Sequence, residues 1–373
     1  MPPAWPRAGS IVSTVIRVRL DGHLLDEVRT VADLAGVHTR PGQVLWVHCD
    51  VPDDDEVEAL AARFHIHPLA VEDLRNSNQR PKLDDYGEQL FVVLFGALVL
   101  SDGSIALAEV HFLIGEGYLV TVTSDRMPAI DALDKQLDKR PELCGDTPDM
   151  MFYRICDSLV DSVFPLLDHI GAKIDAVEDA VLENPDRETL RTIFGLKRDL
   201  MTLRRVTGPQ RDLLQSITSP RTPRIGTETQ LFLRDVYDHT VRIAEQVDSF
   251  RDLVSSSLDA YLTSVSNRLG EQTRRLTVVA TIFLPLTFLT GFFGMNFAFL
   301  VGHIDSAQAF FIGLGVMAVS VPTLVTIVTR LNRRAAPLPA DPRATRGLRM
   351  MARSATRPPA DATPPAQSPT TTP

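Results

Sequence analysis

From Leu276 to Gly302 the chain carries no Asp, Glu, Lys or Arg, and the same holds from Ser306 to Thr329. Each stretch is long enough for the ~20 residues that a helix needs to cross a bilayer. Only His303, Ile304 and Asp305 separate them, so the two spans form a helical hairpin with both flanks on one side of the membrane. Arg274 and Arg275 precede the first span, Arg330, Arg333 and Arg334 follow the second, and the connecting loop has no Lys or Arg. The positive-inside rule then places both flanks in the cytoplasm. The sequence therefore predicts an integral, multi-pass protein of N-in, C-in orientation.

With 23% charged and 44% hydrophobic residues, the chain as a whole does not read as polytopic; a large soluble part is joined to a small membrane part. The net charge of -9 comes from the region before the spans, whereas the tail after them is basic. No nucleic-acid partner is expected. The start, Met1-Pro2-Pro3-Ala4-Trp5-Pro6, lacks the basic and apolar regions of a secretory signal, so insertion is expected to rely on the hairpin. Cys49, Cys144 and Cys156 form no CxxC pair and are assigned packing roles in a reducing compartment.

Strand patterns occur at Ile11 to Leu20, Val44 to Cys49, Leu90 to Leu98, Ile105 to Ile114 and Tyr118 to Thr123, with helical patterns at Asp53 to Phe64 and Pro68 to Arg75. Residues 1–146 are thus a mixed α/β domain. Thr147-Pro148 opens a helical part over 147–226. One helix runs to about Glu183 with a kink expected at Pro165; a second runs from Asp186 to about Val206, before Gly208-Pro209. Thr227 and Gln230 are spaced as a capping box for a stalk helix over 227–275. Nothing but Pro285 interrupts that helix on its way into a first transmembrane segment at 276–297. A loop at 298–306, a second span at 307–329 and a Pro/Thr-rich basic tail at 330–373 complete the chain, the tail being expected to lack fixed structure.

Thr273, Leu276, Ala280, Leu284, Thr287, Gly291 and Gly294 recur at spacings of three and four and share one helix face. Such a face is either a small-residue packing seam or the lining of a pore. Asn296 offers an uncharged carbonyl oxygen at its end, a group able to hold a hydrated hard cation through its water shell and still release it. Upstream, Asp238, Glu245, Asp252 and Asp259 repeat every seven residues and form an acidic stripe, while Ile243, Val247, Phe250, Val254 and Leu258 mark an apolar face. In one copy the stripe is a solvated surface; around an axis it would require bound cations. His65 and His67 lack a third metal ligand nearby, and Gly115-Glu116-Gly117 reads as a hairpin turn because a strand follows it. Nothing resembles an activated nucleophile, so no enzymatic activity is expected.

Val71-Glu72-Asp73-Leu74, Gln79-Arg80-Pro81-Lys82, the segment from Arg234 to Thr240, the segment from Asp259 to Asn267, and Thr281 to Phe288 leading into Gly294-Met295-Asn296 together resemble the CorA-type divalent-cation transporters. The resemblance implies a funnel-shaped homopentamer with an αβα cytosolic domain, a long α-helical stalk and two C-terminal transmembrane helices. It implies a selectivity filter at Gly294, Met295 and Asn296, with Thr273, Leu276, Ala280, Leu284, Thr287 and Gly291 facing the pore. It also implies regulatory Mg²⁺ held between subunits by Asp73 and Asp259, with Glu72, Asp157 and Asp235 at a second site. The function so implied is Mg²⁺ uptake, with Co²⁺ and Ni²⁺, across the cell membrane, driven by membrane potential and gated by cytosolic Mg²⁺. A proton-coupled Zn²⁺ carrier of the ZntB kind and a non-conducting sensor are the alternatives. The loop departs from the family's Met-Pro-Glu-Leu: it retains Asp305 as its acid and adds His303, whose imidazole suits Zn²⁺, Ni²⁺ or Co²⁺ better than Mg²⁺.

Overall fold

The computed structural model describes residues 15–76, 79–100, 103–219, 222, 224–295 and 307–334. Asn296, the loop with His303 and Asp305, the tail beyond 334 and the first four residues of the strand expected from Ile11 lie outside these. The chain divides into two compact units, Met1–Asn267 and Arg268–Pro373.

The first unit is built on strands β1 (Val15–Leu20), β2 (His23–Leu24), β3 (Leu45–Asp50), β4 (Lys82–Asp85), β5 (Leu90–Val99), β6 (Ile105–Gly115) and β7 (Tyr118–Thr123). They form one sheet in the order β2-β1-β3-β7-β6-β5-β4. Only β3 and β7 pair in parallel. The turn between β6 and β7 closes on the Gly115–Tyr118 pair, and Gly117 takes φ +76, a left-handed conformation that costs glycine no Cβ clash. That loop is a hairpin turn, as its sequence predicts.

Both sheet faces are apolar, and each is covered. Val92, Leu94, Phe112 and Ile114 enter one core with residues of α3 (Pro128–Lys139), α4 (Pro148–Asp161), α5 (Val163–Glu183), α6 (Arg187–Ile217) and the early part of α7 (Thr227–Phe293). The alternate residues Phe91, Val93 and Leu113 enter a second core with Leu60 and Phe64 of α1 (Asp54–Phe64) and Ala70 of α2 (Pro68–Arg75). Alternation along buried strands thus gives the expected αβα layering.

Local side-chain caps open α1, α2 and α6. Asp53 and Glu56 form a reciprocal capping box at the start of α1. His67 caps α2 by accepting the Leu69 N–H at 3.3 Å and stacks on Tyr86, which accounts for this histidine without a metal. The helix expected from Pro148 to Glu183 breaks at Ser162, three residues before Pro165, whose missing N–H leaves the turn unsupported.

Two sequence expectations are corrected. α6 does not stop near Val206 but continues through Gly208-Pro209 to Ile217, because Leu213, Leu214 and Ile217 are buried and the Gln210 side chain accepts the Phe95 N–H at 2.9 Å. Tertiary burial outweighs the proline there. The Thr227–Gln230 capping box does not form: Thr227 is already helical, the Gln230 amide donates to the carbonyls of Ser219 and Ile225, and Asp149 accepts the Gly226 N–H at 2.7 Å.

Against the far side of β1, α3 supplies a carboxylate set that the sequence does not advertise. Buried Arg19 donates to Asp134 at 2.7 Å and Asp138 at 2.6 Å, while Arg17 joins Asp50 and Asp131.

In the second unit, α7 continues from Arg268 to Phe293 and α8 covers Ala307–Arg334. Their apolar windows have mean hydropathies of 1.6 and 2.1 and are not buried within the chain, unlike the core helix of a soluble protein. Pro285 and Pro322 sit inside these helices, as membrane-spanning helices tolerate.

Candidate functional site

The six residues of the predicted lining, Thr273, Leu276, Ala280, Leu284, Thr287 and Gly291, and Gly294 of the predicted filter are all exposed in the single chain. The partly covered residues of α7 are different ones: Val278, Thr281, Ile282, Pro285, Leu286 and Leu289. A Cβ built on Gly291 would meet nothing within 4 Å. The small-residue face is therefore open within the single chain. Phe283 and Phe288 are also exposed.

The hydroxyls along this helix turn inward to its backbone. Thr273 donates to Leu269 O at 2.9 Å, Thr277 to Thr273 O at 2.9 Å, Thr281 to Thr277 O at 2.7 Å and Thr287 to Phe283 O at 2.8 Å. The helix ends at Phe293, and the Gly294 N–H still reaches Thr290 O at 2.9 Å. A Cβ at 294 would stand 3.0 Å from that carbonyl, so close backbone approach is what glycine permits here. Met295 follows, and Asn296 lies beyond the described residues.

In the first unit, α4 and α7 bring together four ionisable side chains. Asp157 and Asp161 are one helical turn apart on α4; Asp235 and His239 are one turn apart on α7. His239 Nδ1 lies 2.9 Å from Asp161 and its Nε2 3.9 Å from Asp235. One ligand atom from each of Asp157, Asp161 and His239 falls within 4.8 Å of the others. Burial, reinforced by the negative charge of Asp161, pushes the Asp157 carboxyl above its ordinary range. A bound dication would relieve that excess charge, so the donor set fits a divalent metal of mixed oxygen and nitrogen preference.

The other predicted regulatory acids stand apart from this cluster. Asp73 on α2 is engaged by Lys82 Nζ at 2.6 Å, and Glu72 lines an open groove of about 570 Å³ with Ala61, Ile66, Val71 and Arg75. Asp238, Glu245, Asp252 and Asp259 are all exposed on α7, forming the expected stripe. No hydrogen bond or ion pair among the described residues joins Asp259 to Asp73. The structure thus unites Asp157 with Asp235 and leaves Glu72, Asp73 and Asp259 outside their cluster. It adds Asp161 and His239, to which the sequence assigned no metal role; their signal was two acid- or histidine-bearing pairs at i,i+4 spacing on helices far apart in the chain.

A family model described as "CorA-like Mg2+ transporter protein" matches residues 41–330. The cobalt/magnesium transport protein CorA of Thermotoga maritima is 38% identical over 250 residues, covering 66% of this chain and 71% of that protein. The zinc transport protein ZntB of Yersinia enterocolitica is 25% identical over 269 residues, covering 71% and 80%. Among solved structures, the CorA magnesium transporter of Methanocaldococcus jannaschii shares the fold, with a TM-score of 0.73 at 22% identity over 88% of this chain and all of that one.

Proposed function

Because this chain belongs to the CorA family of divalent-cation transporters, we propose that it is a Mg²⁺ channel that also passes Co²⁺ and Ni²⁺. Family membership makes it a transporter with membrane helices rather than an enzyme. In the proposed assembly five copies form a funnel in the cell membrane, with N- and C-termini in the cytosol. The observation that carries this reading is the open face of α7, which runs through Leu276, Leu284 and Thr287 to Gly291 and Gly294 immediately before Asn296. Five such faces around an axis would line a path closed by five copies of the Gly294-Met295-Asn296 filter. Leu276 and Leu284 would form its apolar constriction, where loss of water stops conduction.

Inside-negative potential favours influx by ~2.3 kcal/mol per elementary charge per 100 mV, and by twice that for a dication, so no chemical coupling is required. Cytosolic Mg²⁺ would close the channel by occupying acids of the first unit: Asp73 and Asp259 between neighbouring subunits, and Asp157 and Asp235, which Glu72 of a neighbouring copy would join. In the last group Asp161 and His239 stand ready as further ligands. Filling these sites neutralises carboxylates, and their depletion lets like charges push subunits apart.

Purified protein in vesicles with an imposed inside-negative potential should take up Mg²⁺ without a pH gradient. Zn²⁺ uptake that needs a pH gradient would instead support a ZntB-like carrier, a reading favoured by His303 in the outer loop. No ion flux at all would leave a non-conducting sensor. Asp157→Asn removes the most buried carboxylate of the α4–α7 cluster and should raise the Mg²⁺ concentration for half-closure several-fold, read as flux against internal Mg²⁺. Wild-type closure in that variant would remove the cluster from the sensor.

A further inference from the structure

Lys82 opens β4, where pairing with Val93 of β5 fixes its backbone. Its ammonium has three partners. Asp73 Oδ2 lies at 2.6 Å, Asp84 Oδ2 at 3.1 Å, and the Phe91 ring centroid at 5.6 Å. Asp73 is the more enclosed of the two acids, its side chain 15% exposed against 39% for Asp84. The chain therefore carries its own cation on the carboxylate that the proposed function gives to a regulatory metal.

We propose that Lys82 is a tethered counter-cation that competes with divalent metal for Asp73 and so sets the concentration at which the regulatory site fills. This rests on the reading of Asp73 as a regulatory ligand. A dication reaching Asp73 meets an ammonium already in contact with the same carboxylate, and the two repel each other. Asp84 gives Lys82 a second seat: the side chain can release Asp73 and keep an anionic partner without leaving its strand. When metal departs, Lys82 returns and spares Asp73 the cost of a partly buried, unpaired charge. The metal-free state is thereby stabilised, and more metal is needed to abolish it.

Removing the ammonium while keeping its aliphatic stem over Phe91 should make the sensor more sensitive. Full-length protein is digested with chymotrypsin across a MgCl₂ series, and the concentration giving half-maximal protection is read. Lys82→Met should lower that midpoint on the order of tenfold, the size of a unit charge repelling a dication across ~5 Å of water-like medium. Lys82→Gln, which keeps a hydrogen-bond donor without charge, should do the same and serves if the methionine variant does not fold. Lys82→Arg should stay near the wild-type midpoint. Asp73→Asn should raise it, and adding Lys82→Met to Asp73→Asn should produce no further shift. Unchanged or raised midpoints in both Lys82→Met and Lys82→Gln, with Asp73→Asn still raising the midpoint, would overturn the proposal while leaving Asp73 as a ligand. An unchanged midpoint in Asp73→Asn would instead overturn the reading beneath it.

Discussion

Asn296→Ala is expected to reduce Mg²⁺ uptake by reconstituted vesicles to the level of vesicles without protein. Between Thr290 and His303, Asn296 is the one residue with a polar side chain; its neighbours are Gly, Phe, Met, Ala, Leu and Val. Mg²⁺ gives up its water reluctantly and demands near-octahedral oxygen ligands. An ion arriving at this mouth with its hydration shell needs acceptors for the outward hydrogens of those waters. In the proposed assembly the amide oxygens of several copies would supply them without a charge that would trap the ion. Alanine leaves an apolar collar in their place, and a hydrated dication has no reason to stop there or shed water. A magnesium-sensitive dye inside the vesicles reads the outcome. Undiminished influx would defeat the filter assignment and leave the open face of α7 unexplained.

The largest effect expected on stability lies in the first unit. Asp134→Ala should destabilise it by ~2–3 kcal/mol, because it removes the less exposed of the two carboxylates on a buried guanidinium while Asp138 and the Gly22 and residue-134 carbonyls remain. Arg19 is 1% exposed and donates to Asp134 through Nε at 2.7 Å; Asp134 also lies 3.4 Å from Arg17. The remaining acid, Asp138, is more than half exposed and contacts Arg19 through its outer nitrogen alone. Asp138→Ala should therefore cost no more than ~1 kcal/mol. Chemical denaturation followed by circular dichroism separates the two variants. Equal losses would mean that Arg19 is solvated in a way its burial does not suggest.

The two apolar helices of membrane-spanning length could be read from the sequence because each is a long uncharged run, and most strands because they are short apolar runs bounded by turn residues, whereas the αβα layering came from the resemblance. The run from Tyr118 to Thr123, set off by the Gly115-Glu116-Gly117 turn, coincides with β7 to the residue. The extension of α6 past Gly208-Pro209 could not be read so, since local propensity opposes it and only contacts with distant Phe95 and the core favour it. The same holds for the α4–α7 cluster. Asp157 and Asp235 came from resemblance, whereas Asp161 and His239 become ligands in waiting only when α4 packs beside α7. Short β4 was missed because its Lys-Leu-Asp-Asp reads as polar surface. Its polarity is what places Lys82 and Asp84 beside Asp73.

The threonines of α7 carry a further consequence. Each hydroxyl hydrogen of Thr273 and Thr287 is spent on a carbonyl of its own helix, so the oxygen turned outward has only lone pairs to offer. Water held by a cation presents hydrogens, and those oxygens can receive them. Chloride and its shell require hydrogens from the wall, and these threonines supply none. In the proposed pore, discrimination by the sign of the ion would need no charged residue within the span and would follow from which way a hydroxyl points.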